Sequence, residues 1–412
     1  MSRANTLFKP VVRANANARA LLVIVIALVT FGTIAVASSS EGQAAANGGS
    51  TWSIMIRDVA YLVLGFVAMY LMSRVRISQL VRLAPFFIFF GLFLLVAVAG
   101  AGVTVNGGTR WLNLKFILLQ PSELFKLFTV IFTAHVVQLY HRDLGDWVQL
   151  AKRAWPIGAG AALIVYEPDI GTTSVVLVLV FVMLAIAGLS KQLLGRMAFL
   201  GVLGIGLYAA VKPYSFRRLI SFIHANANQA GAGYQLLQSR IGLGAGGVAG
   251  LGLGHSREKW GLLPNPHTDF IFTIIGEELG LIGSLIVIAL FIAFLLASVR
   301  IAQQCQNDVN RLIAIGITTW IVFEAVVNIA SVVGGWAVTG IPLPFFSYGG
   351  TALISELAAV GLLYNVANDT SKSPDLSIRE VPYAPIRDVL NARMSQRQPT
   401  PRAPQRRHVQ GY

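Results

Sequence analysis

The chain has 412 residues, of which 55% are hydrophobic and only 12% are charged, and its formal net charge is +14. Soluble domains carry about 25% charged residues, so this composition excludes an ordinary soluble protein and indicates a membrane protein. A single cysteine excludes an intrachain disulfide and a cysteine metal cluster. Lys and Arg that gather in cytoplasmic loops beside anionic lipid account for the positive charge. No nucleic-acid partner is therefore expected.

Long apolar runs predict an all-α, polytopic membrane protein with about ten transmembrane helices, since a spanning helix needs about 20 residues. The fifth run is short, which predicts a tilted or half-length helix. Ala35-Val36-Ala37 resembles a signal-peptidase site. The first run is nevertheless long for a cleaved signal and nine more follow, so a retained helix is expected. The predicted spans are residues 20–37, 58–73, 84–103, 119–140, 154–166, 171–189, 193–211, 268–298, 312–334 and 345–367.

Basic residues alternate between the predicted loops, and this alternation predicts the orientation. Short cytoplasmic loops carry an excess of Lys and Arg, so both termini and every second loop, including Cys305, are predicted to lie in the cytoplasm. The expected location is a cell membrane. The basic residues are Arg3, Lys9, Arg13 and Arg19 before the first span, then Arg74, Arg76, Arg82, Arg142, Lys152, Arg153, Lys191, Arg196, Arg300 and Arg311 in the loops.

Three segments are predicted to lie outside the membrane. Residues 1–19 form a cytoplasmic N-terminal segment, and residues 212–267 form a large extracytoplasmic loop rich in glycine. Residues 368–412 form a basic cytoplasmic tail, which has few large apolar residues to bury and is predicted to be disordered. The membrane domain is therefore predicted to extend over residues 20–367.

Two groups of charged residues lie near the fourth to sixth spans. Pro121 suits the first turn of a helix, which places Glu123 and Lys126 three residues apart on one face, where they can pair. Such a pair fits a structural salt bridge and a functional role equally. The turn Glu167-Pro168-Asp169 could bind a cation or a basic loop. The favoured interpretation is that Asp169 caps the next helix.

Acidic residues also mark the start of the eighth span. Asp269 follows the long loop and lies near a helix N-terminus, where the helix dipole and free N–H groups stabilise a carboxylate. That position alone indicates only a cap. Glu277 and Glu278 lie inside the span, where an unpaired charge is costly, so they are predicted to pair or to bind substrate.

The segment from Thr339 to Thr351 combines prolines, which forbid a regular helix, with glycines, which allow close packing. Irregular backbone in a membrane must be buried in protein or line a wet cavity. Other motifs are weak. The glycine-rich stretch Gly242–Gly247 lacks the Lys-Ser/Thr ending of a phosphate loop, and the histidines have no ligand spacing, so no structural zinc is expected.

At these motifs, from about residue 20 to residue 367, the sequence resembles the SEDS family (FtsW/RodA/SpoVE) of bacterial cell-wall proteins. Five groups in matching order carry the resemblance. They are Arg110-Trp111 with Gln120-Pro121-Ser122-Glu123, Glu167-Pro168-Asp169-Ile170-Gly171-Thr172, Gly233-Tyr234-Gln235, the stretch from Pro264 to Phe272 with Gly276-Glu277-Glu278-Leu279-Gly280, and Pro342-Leu343-Pro344 with Ser347-Tyr348-Gly349-Gly350.

The resemblance implies ten transmembrane helices and a peptidoglycan glycosyltransferase whose substrate is undecaprenyl-linked lipid II. It implies a class B penicillin-binding protein as partner, and Asp269 as the essential acid. A carboxylate there can act as general base for the attacking sugar hydroxyl. The leaving pyrophosphate needs positive charge, supplied with or without a divalent cation (Mg or Mn) but without a tightly bound cofactor. The candidates for binding substrate or pyrophosphate are Arg110, Glu123, Lys126, Arg217, Lys259, His267, Glu277 and Ser347.

The sequence departs from the family pattern at three places, and two other functions fit the same residues. Glu167 stands where many members have Gln, and the other departures are Gly334-Gly335-Trp336-Ala337 and Pro264-Asn265-Pro266. A lipid II flippase would also use intramembrane charges around a wet cavity. A non-catalytic scaffold could simply recruit the transpeptidase. Either a division or an elongation role is compatible, and the long basic tail favours recruitment by division proteins.

Overall fold

The structure is a computed structural model that describes residues 15–46, 51–105, 108–115, 118–140, 146–211, 231–264 and 266–369. These residues belong to one compact unit, Met1–Leu376. The predicted N-terminal segment and cytoplasmic tail lie almost entirely outside the described residues. Disorder of the tail therefore stays a prediction.

Helices form almost all of the described structure, and ten of them have 17 residues or more, one for each predicted span. Seven are long and apolar enough to cross a membrane, and α7 is apolar but shorter. The all-α, polytopic prediction is confirmed. In chain order the helices are α1 (Ala16–Ala46), α2 (Thr51–Arg74), α3 (Ile77–Arg82), α4 (Ala84–Ala101), α5 (Pro121–Tyr140), α6 (Trp147–Tyr166), α7 (Ile170–Ile186), α8 (Lys191–Val211), α9 (Ala232–Gly246), α10 (Ile271–Gln304), α11 (Asp308–Val333) and α12 (Gly350–Ala367).

Several helices extend beyond their predicted spans, as α1 does to Ala46. Two other differences from the prediction have identifiable reasons. The fifth span is neither half-length nor short: α6 has 20 residues, because Lys152 and Arg153 interrupt its apolar run without interrupting the helix. The last span begins at Gly350 rather than at residue 345. Phe345 has a positive φ of 65°, and the prolines before it also prevent helix formation.

A small antiparallel sheet connects α4 to α5, and the sequence did not predict it. Its strands are β1 (Val103–Val105), β2 (Gly108–Asn113) and β3 (Leu118–Leu119), in the order β1-β2-β3. Val105 pairs with Gly108, and Leu112 pairs with Leu119. The sheet carries Arg110 on β2, on the face predicted to be extracytoplasmic, which is called the outer face below.

The helices divide into a buried centre and a periphery. Most residues of α5 and α12 are buried, whereas α2 and α4 expose large apolar side chains, among them Val63, Tyr70 and Phe93. Exposed apolar residues on the outside of a membrane protein face lipid. α2 packs along α12 so closely that a Cβ added at Gly361 would lie 2.1 Å from the Met69 carbonyl oxygen.

The long loop before α10 folds back against a break in that helix. Gly280 has a φ of 66° and a ψ of −160°, which interrupts the helical hydrogen bonds. Residues 247–252 replace them, since Leu251 N donates to Glu277 O at 3.0 Å and Leu281 N donates to Gly247 O at 3.0 Å. Backbone groups freed inside a membrane need such partners. The break therefore fixes the backbone positions of Glu277 and Glu278 against the long loop.

Candidate functional site

Asp269 lies in the turn immediately before α10, on the outer face. The helix begins at Ile271, and its N-cap residue is Phe270, which makes no side-chain cap hydrogen bond. Asp269 is half-buried. It is therefore not the N-cap residue that its position in the sequence indicated. Asp269 still precedes the N-terminus of α10 by two residues, and the positive end of a helix dipole favours an anion nearby.

The backbone of the Asp269 turn is held by hydrogen bonds from two other segments. Three consecutive carbonyl oxygens each accept a bond from a residue of α11 or of the loop between α11 and α12. The bonds are Tyr348 N to His267 O at 2.9 Å, Ser347 Oγ to Thr268 O at 2.6 Å, and Asn328 Nδ2 to Asp269 O at 2.9 Å. Ser347 is thus placed beside the predicted catalytic residue.

The loop between α11 and α12 is itself buried and internally bonded. Leu343 N donates to Ser347 Oγ at 2.8 Å, and Phe345 and Phe346 are 4% and 0% exposed. Phe345 N donates to the Glu356 carboxylate at 2.8 Å. The loop is therefore buried in protein, which was one of its two predicted environments; the other was the lining of a wet cavity. A buried, hydrogen-bonded loop holds the Asp269 turn rigidly.

His267 is a neutral side chain at cellular pH, which limits what it can do. Burial lowers its pKa to about 4. Its ring lies 5.7 Å from that of Tyr348, centroid to centroid, and among the described residues Nδ1 has no hydrogen-bond partner. A neutral imidazole can donate or accept a hydrogen bond but supplies no positive charge.

Arg110 on β2 reaches the turn between α6 and α7. Its Nε donates to Glu167 O at 3.1 Å, a second nitrogen donates to Pro168 O, and Nη1 lies 3.6 Å from Asp169 Oδ2. Asp169 also caps α7, accepting from Thr172 N at 3.0 Å. The predicted cap is confirmed. The turn also binds a basic residue, as the alternative interpretation predicted, because the Asp169 carboxylate interacts with both Thr172 N and Arg110.

Glu167 is 3% exposed, and neither of its carboxylate oxygens has a hydrogen-bond partner among the described residues. Burial, and to a lesser extent nearby Asp169, raises its pKa to about 8 in spite of the opposing charge of Arg110. The start of α7 packs against the loop between α11 and α12, since a Cβ added at Gly171 would lie 3.1 Å from Thr339 O. The segment from Glu167 to Gly171, which binds Arg110, and the Asp269 turn therefore contact the same loop.

Lys126 is completely buried between two carboxylates. Its Nζ lies 2.6 Å from Glu123 Oε2 and 2.5 Å from Glu324 Oε1, and 5.0 Å from the centroid of the Trp320 ring. Trp320 Nε1 in turn donates to Glu324 Oε2 at 2.7 Å. The predicted pair of Glu123 with Lys126 is confirmed. Sequence reasoning missed Glu324, although an acid in an apolar span, four residues after Trp320, was a usable signal.

Lys259 joins the long loop to α1 and α10. Its Nζ lies 2.7 Å from Glu41 Oε2 and 3.7 Å from Glu278 Oε1, and Ser38 Oγ donates to Glu278 Oε1 at 2.6 Å. The side chain of Lys259 is 0% exposed. Glu278 is therefore paired, as predicted, and the residues on α1 were missed because nothing in the sequence links them to position 259.

Glu277 accepts hydrogen bonds from three consecutive residues of the long loop. The donors are Arg257 N at 2.9 Å, Glu258 N at 3.3 Å and the hydroxyl of Ser256. Glu277 therefore pairs within the protein, which is the first of the two predicted roles.

The predicted site residues thus fall into three groups. Asp269, His267 and Ser347 lie together, and Arg110 holds the turn before α7, whose Gly171 packs against the same loop. Lys126, Glu123, Lys259 and Glu277 are engaged with partners inside the protein. Arg217 lies outside the described residues. A bundle of long apolar helices that buries paired charges and gathers irregular turns at one face defines a multi-pass membrane protein with a site at that face.

The sequence model of the FtsW/RodA/SpoVE family, described as "Cell cycle protein", matches residues 19–372. The chain therefore belongs to this family, the SEDS family. Similar curated proteins include the probable peptidoglycan glycosyltransferases FtsW of Coxiella burnetii (33% identity, covering 85% of this chain and 96% of the relative) and of Thioalkalivibrio sulfidiphilus (35%, covering 87% and 91%). Stage V sporulation protein E of Bacillus subtilis is 34% identical, covering 84% of this chain and 96% of the relative.

Solved structures share the fold. A chain of a peptidoglycan synthase complex that coordinates polymerization and crosslinking has a TM-score of 0.70 at 27% identity, covering 84% of this chain and 96% of that one. The rod shape determining protein RodA of Thermus thermophilus has a TM-score of 0.63 at 26% identity, covering 85% and 96%. The resemblance seen in the sequence is confirmed.

Proposed function

We propose that this chain is a peptidoglycan glycosyltransferase that polymerises lipid II into glycan strands, with Asp269 as the general base. The names of its relatives support the activity. The observation that carries the residue assignment is the hydrogen bonding of the Asp269 turn, whose three carbonyls are each bonded to α11 or the following loop. A general base needs such fixed geometry, because proton transfer requires hydrogen-bond reach.

The reaction balances with a single carboxylate. The 4-hydroxyl oxygen of the acceptor sugar forms a bond to the anomeric carbon of the donor, and the bond from that carbon to the pyrophosphate oxygen breaks. Asp269 takes the hydroxyl proton, and the pyrophosphate leaves with the bonding electron pair. A second, protonated carboxyl such as a glycosidase uses is not needed, because pyrophosphate is already a good leaving group.

Of the predicted pyrophosphate-binding cations that the structure describes, Arg110 has the most accessible side chain, and it is assigned to stabilise the leaving pyrophosphate. Its side chain is 15% exposed and is held by backbone carbonyls of the turn between α6 and α7. Lys126 and Lys259 are 0% exposed and already neutralised by carboxylates. A guanidinium fixed in advance stabilises developing negative charge without reorganising.

A divalent cation, Mg or Mn, would act as a companion of the substrate diphosphate rather than as a resident cofactor. Within the described ranges, no group of three or more His, Cys, Asp or Glu residues is arranged to hold a metal ion. The proposed reaction therefore uses only the side chains of the described residues and no resident metal.

The proposed surroundings follow from the same function. The chain is a multi-pass protein of the bacterial cell membrane, with both termini in the cytoplasm and Asp269 facing outward, where lipid II sugars are joined. Its proposed partners are a class B penicillin-binding protein and other division or elongation proteins. A similar chain occurs in a peptidoglycan synthase complex, which supports the first of these.

The test compares Asp269→Asn with Asp308→Asn in the purified chain with its transpeptidase partner in detergent. The first should lose lipid II polymerisation by at least about 100-fold, the range for a general base. Asp308 forms a partly exposed pair with Arg311 at 3.3 Å at the start of α11, which is predicted to be cytoplasmic and far from Asp269, so its variant should keep full activity. A flippase or a scaffold would make no glycan in detergent even as wild type. Near wild-type activity of Asp269→Asn would refute the base assignment.

A further inference from the structure

The first residue of α6 and the N-terminal half of α8 line an open cavity of about 730 Å³ that no part of the proposed reaction uses. α8 packs mainly against α7 alone among the described helices, and its Phe199, Val202 and Leu207 are 66%, 73% and 59% exposed. The cavity lies at the ends of both helices that are predicted to be cytoplasmic, opposite to Asp269. It is lined by Trp147, Gln192, Gly195, Arg196, Phe199 and Leu200.

The cavity changes from polar to apolar along α8. Gln192, Arg196 and Phe199 lie at positions i, i+4 and i+7, so a single face of the helix lines it. The helix rises about 1.5 Å per residue, which places Phe199 about 10 Å deeper than Gln192. A Cβ added at Gly195 would meet nothing within 4 Å. A polar mouth with an apolar interior matches an amphiphile.

The charge around the mouth is positive. Arg196 lines the cavity, and Lys152, Arg153 and Lys191 lie exposed in the first turns of α6 and α8. Among the described residues, the acid near this end is Asp146, which accepts hydrogen bonds from Val148 N and Gln149 N at the start of α6 and is thereby engaged. The predicted cytoplasmic leaflet is rich in anionic lipid, which basic residues attract.

We propose that this cavity binds one anionic phospholipid of the cytoplasmic leaflet. The phosphate lies against Arg196 and Gln192, beside the Trp147 ring, and one acyl chain follows Phe199 and Leu200. The lipid thereby fills the gap between α6 and α8 and stabilises the loosely packed α8. Aromatic and basic residues at the membrane interface suit this arrangement.

The test measures lipid binding to the full-length chain in detergent by native mass spectrometry, with phosphatidylglycerol or phosphatidylcholine added. Wild type should retain one phosphatidylglycerol at a concentration where phosphatidylcholine is not retained. Arg196→Gln should weaken phosphatidylglycerol binding by about fivefold, the share of one basic residue. Arg300→Gln is the matched control, since Arg300 is an exposed basic residue at the same face outside the cavity, and it should bind as wild type does.

A second variant tests the apolar half without changing the charge. Gly195→Leu fills the open space and improves helix propensity, so it should fold, yet it should also lose phosphatidylglycerol. Glycerol phosphate added in excess distinguishes a lipid site from a site for free phosphate and should not displace the lipid. Any one of four outcomes would overturn the proposal. They are equal binding of phosphatidylcholine, equal losses in Arg196→Gln and Arg300→Gln, unchanged binding in Gly195→Leu, and displacement of the lipid by glycerol phosphate.

Discussion

The side-chain amide of Asn328 donates hydrogen bonds to the carbonyl oxygen of Asp269 at 2.9 Å and to that of Ile341 at 2.8 Å. Asn328 is 2% exposed, so one buried side chain of α11 joins the turn before α10 to the loop before α12. A buried amide with both donors satisfied fixes its two acceptors relative to each other. The position of Asp269 therefore depends on α11 as much as on α10.

Replacing Asn328 tests this dependence. Asn328→Leu should reduce polymerisation at least tenfold through kcat, because two buried carbonyls lose their donor and the Asp269 turn is released. It should also destabilise the fold, since an unsatisfied buried polar group costs about 1–3 kcal/mol.

The control for that variant is Asn310→Leu. Asn310 is also buried and lies on the same helix, but at its other end, where it bonds Asp369 at 3.2 Å. It should lose stability to a similar degree and keep its activity. Equal activity losses in the two variants would show that Asn328 acts only through general stability.

The cluster formed by Lys126, Glu123 and Glu324 predicts that a triple variant is more stable than the single variant at Lys126. Lys126→Met leaves two buried carboxylates, Glu123 and Glu324, without their cation, and breaking a buried pair costs about 3–5 kcal/mol. The triple variant that adds Glu123→Gln and Glu324→Gln should therefore be more stable than Lys126→Met alone. A double variant with Glu123→Gln should recover only part, because Glu324 stays unpaired.

Thermal unfolding in detergent ranks these variants, and glycan synthesis is measured beside it. If stability is recovered in the triple variant and activity follows it, the cluster is structural. Recovered stability with no activity would assign the cluster a direct part in catalysis.

Glu167 predicts a pH dependence of stability. Its pKa is raised to about 8 in the folded protein, whereas an unfolded glutamate titrates near its ordinary value of about 4.3. Between these values the folded state holds a proton that the unfolded state has released, so stability falls as the pH rises from about 5 to about 8 and then levels off. Glu167→Gln should remove this contribution. The melting temperature of the variant should therefore fall by several degrees less than that of wild type between pH 5 and pH 8.

The relevant quantity is the difference between wild type and Glu167→Gln at each pH, because other groups titrate in the same range. Burial and Glu277 raise the pKa of Glu258 to about 7, for example. A difference that is constant from pH 5 to pH 9 would contradict a protonated Glu167.

The orientation of the chain is testable with single cysteines, though not at the most obvious positions. Burial raises the pKa of the Cys305 thiol to about 11, and the residue is 8% exposed, so it should react slowly with maleimide. Ser256 is 1% exposed and is equally unsuitable. Exposed alternatives lie next to them, at Gln306 and His255.

In a Cys305→Ser background, His255→Cys should label with a membrane-impermeant maleimide in intact spheroplasts. Gln306→Cys should label only after permeabilisation. The opposite pattern would place Asp269 in the cytoplasm and would remove the basis of the polymerase mechanism.

The sequence alone determined the number of long helices, the family motifs and two local contacts. Apolar runs reveal spanning helices because burial in lipid is a property of consecutive residues. The pair of Glu123 with Lys126 and the cap by Asp169 were equally accessible, since both follow from spacing within one helix or turn.

Only the tertiary structure decided which distant residues meet. Glu324 lies 198 positions from Lys126 and Glu41 lies 218 positions from Lys259, and contacts of that kind arise from helix packing that no local pattern encodes. The same holds for residues 247–252, which occupy the break at Gly280, and for the sheet that carries Arg110. The Asp269 turn had a recognisable sequence, but Asn328 and Ser347 on other segments hold its backbone, and hydrogen bonds between residues so far apart in the chain follow from helix packing.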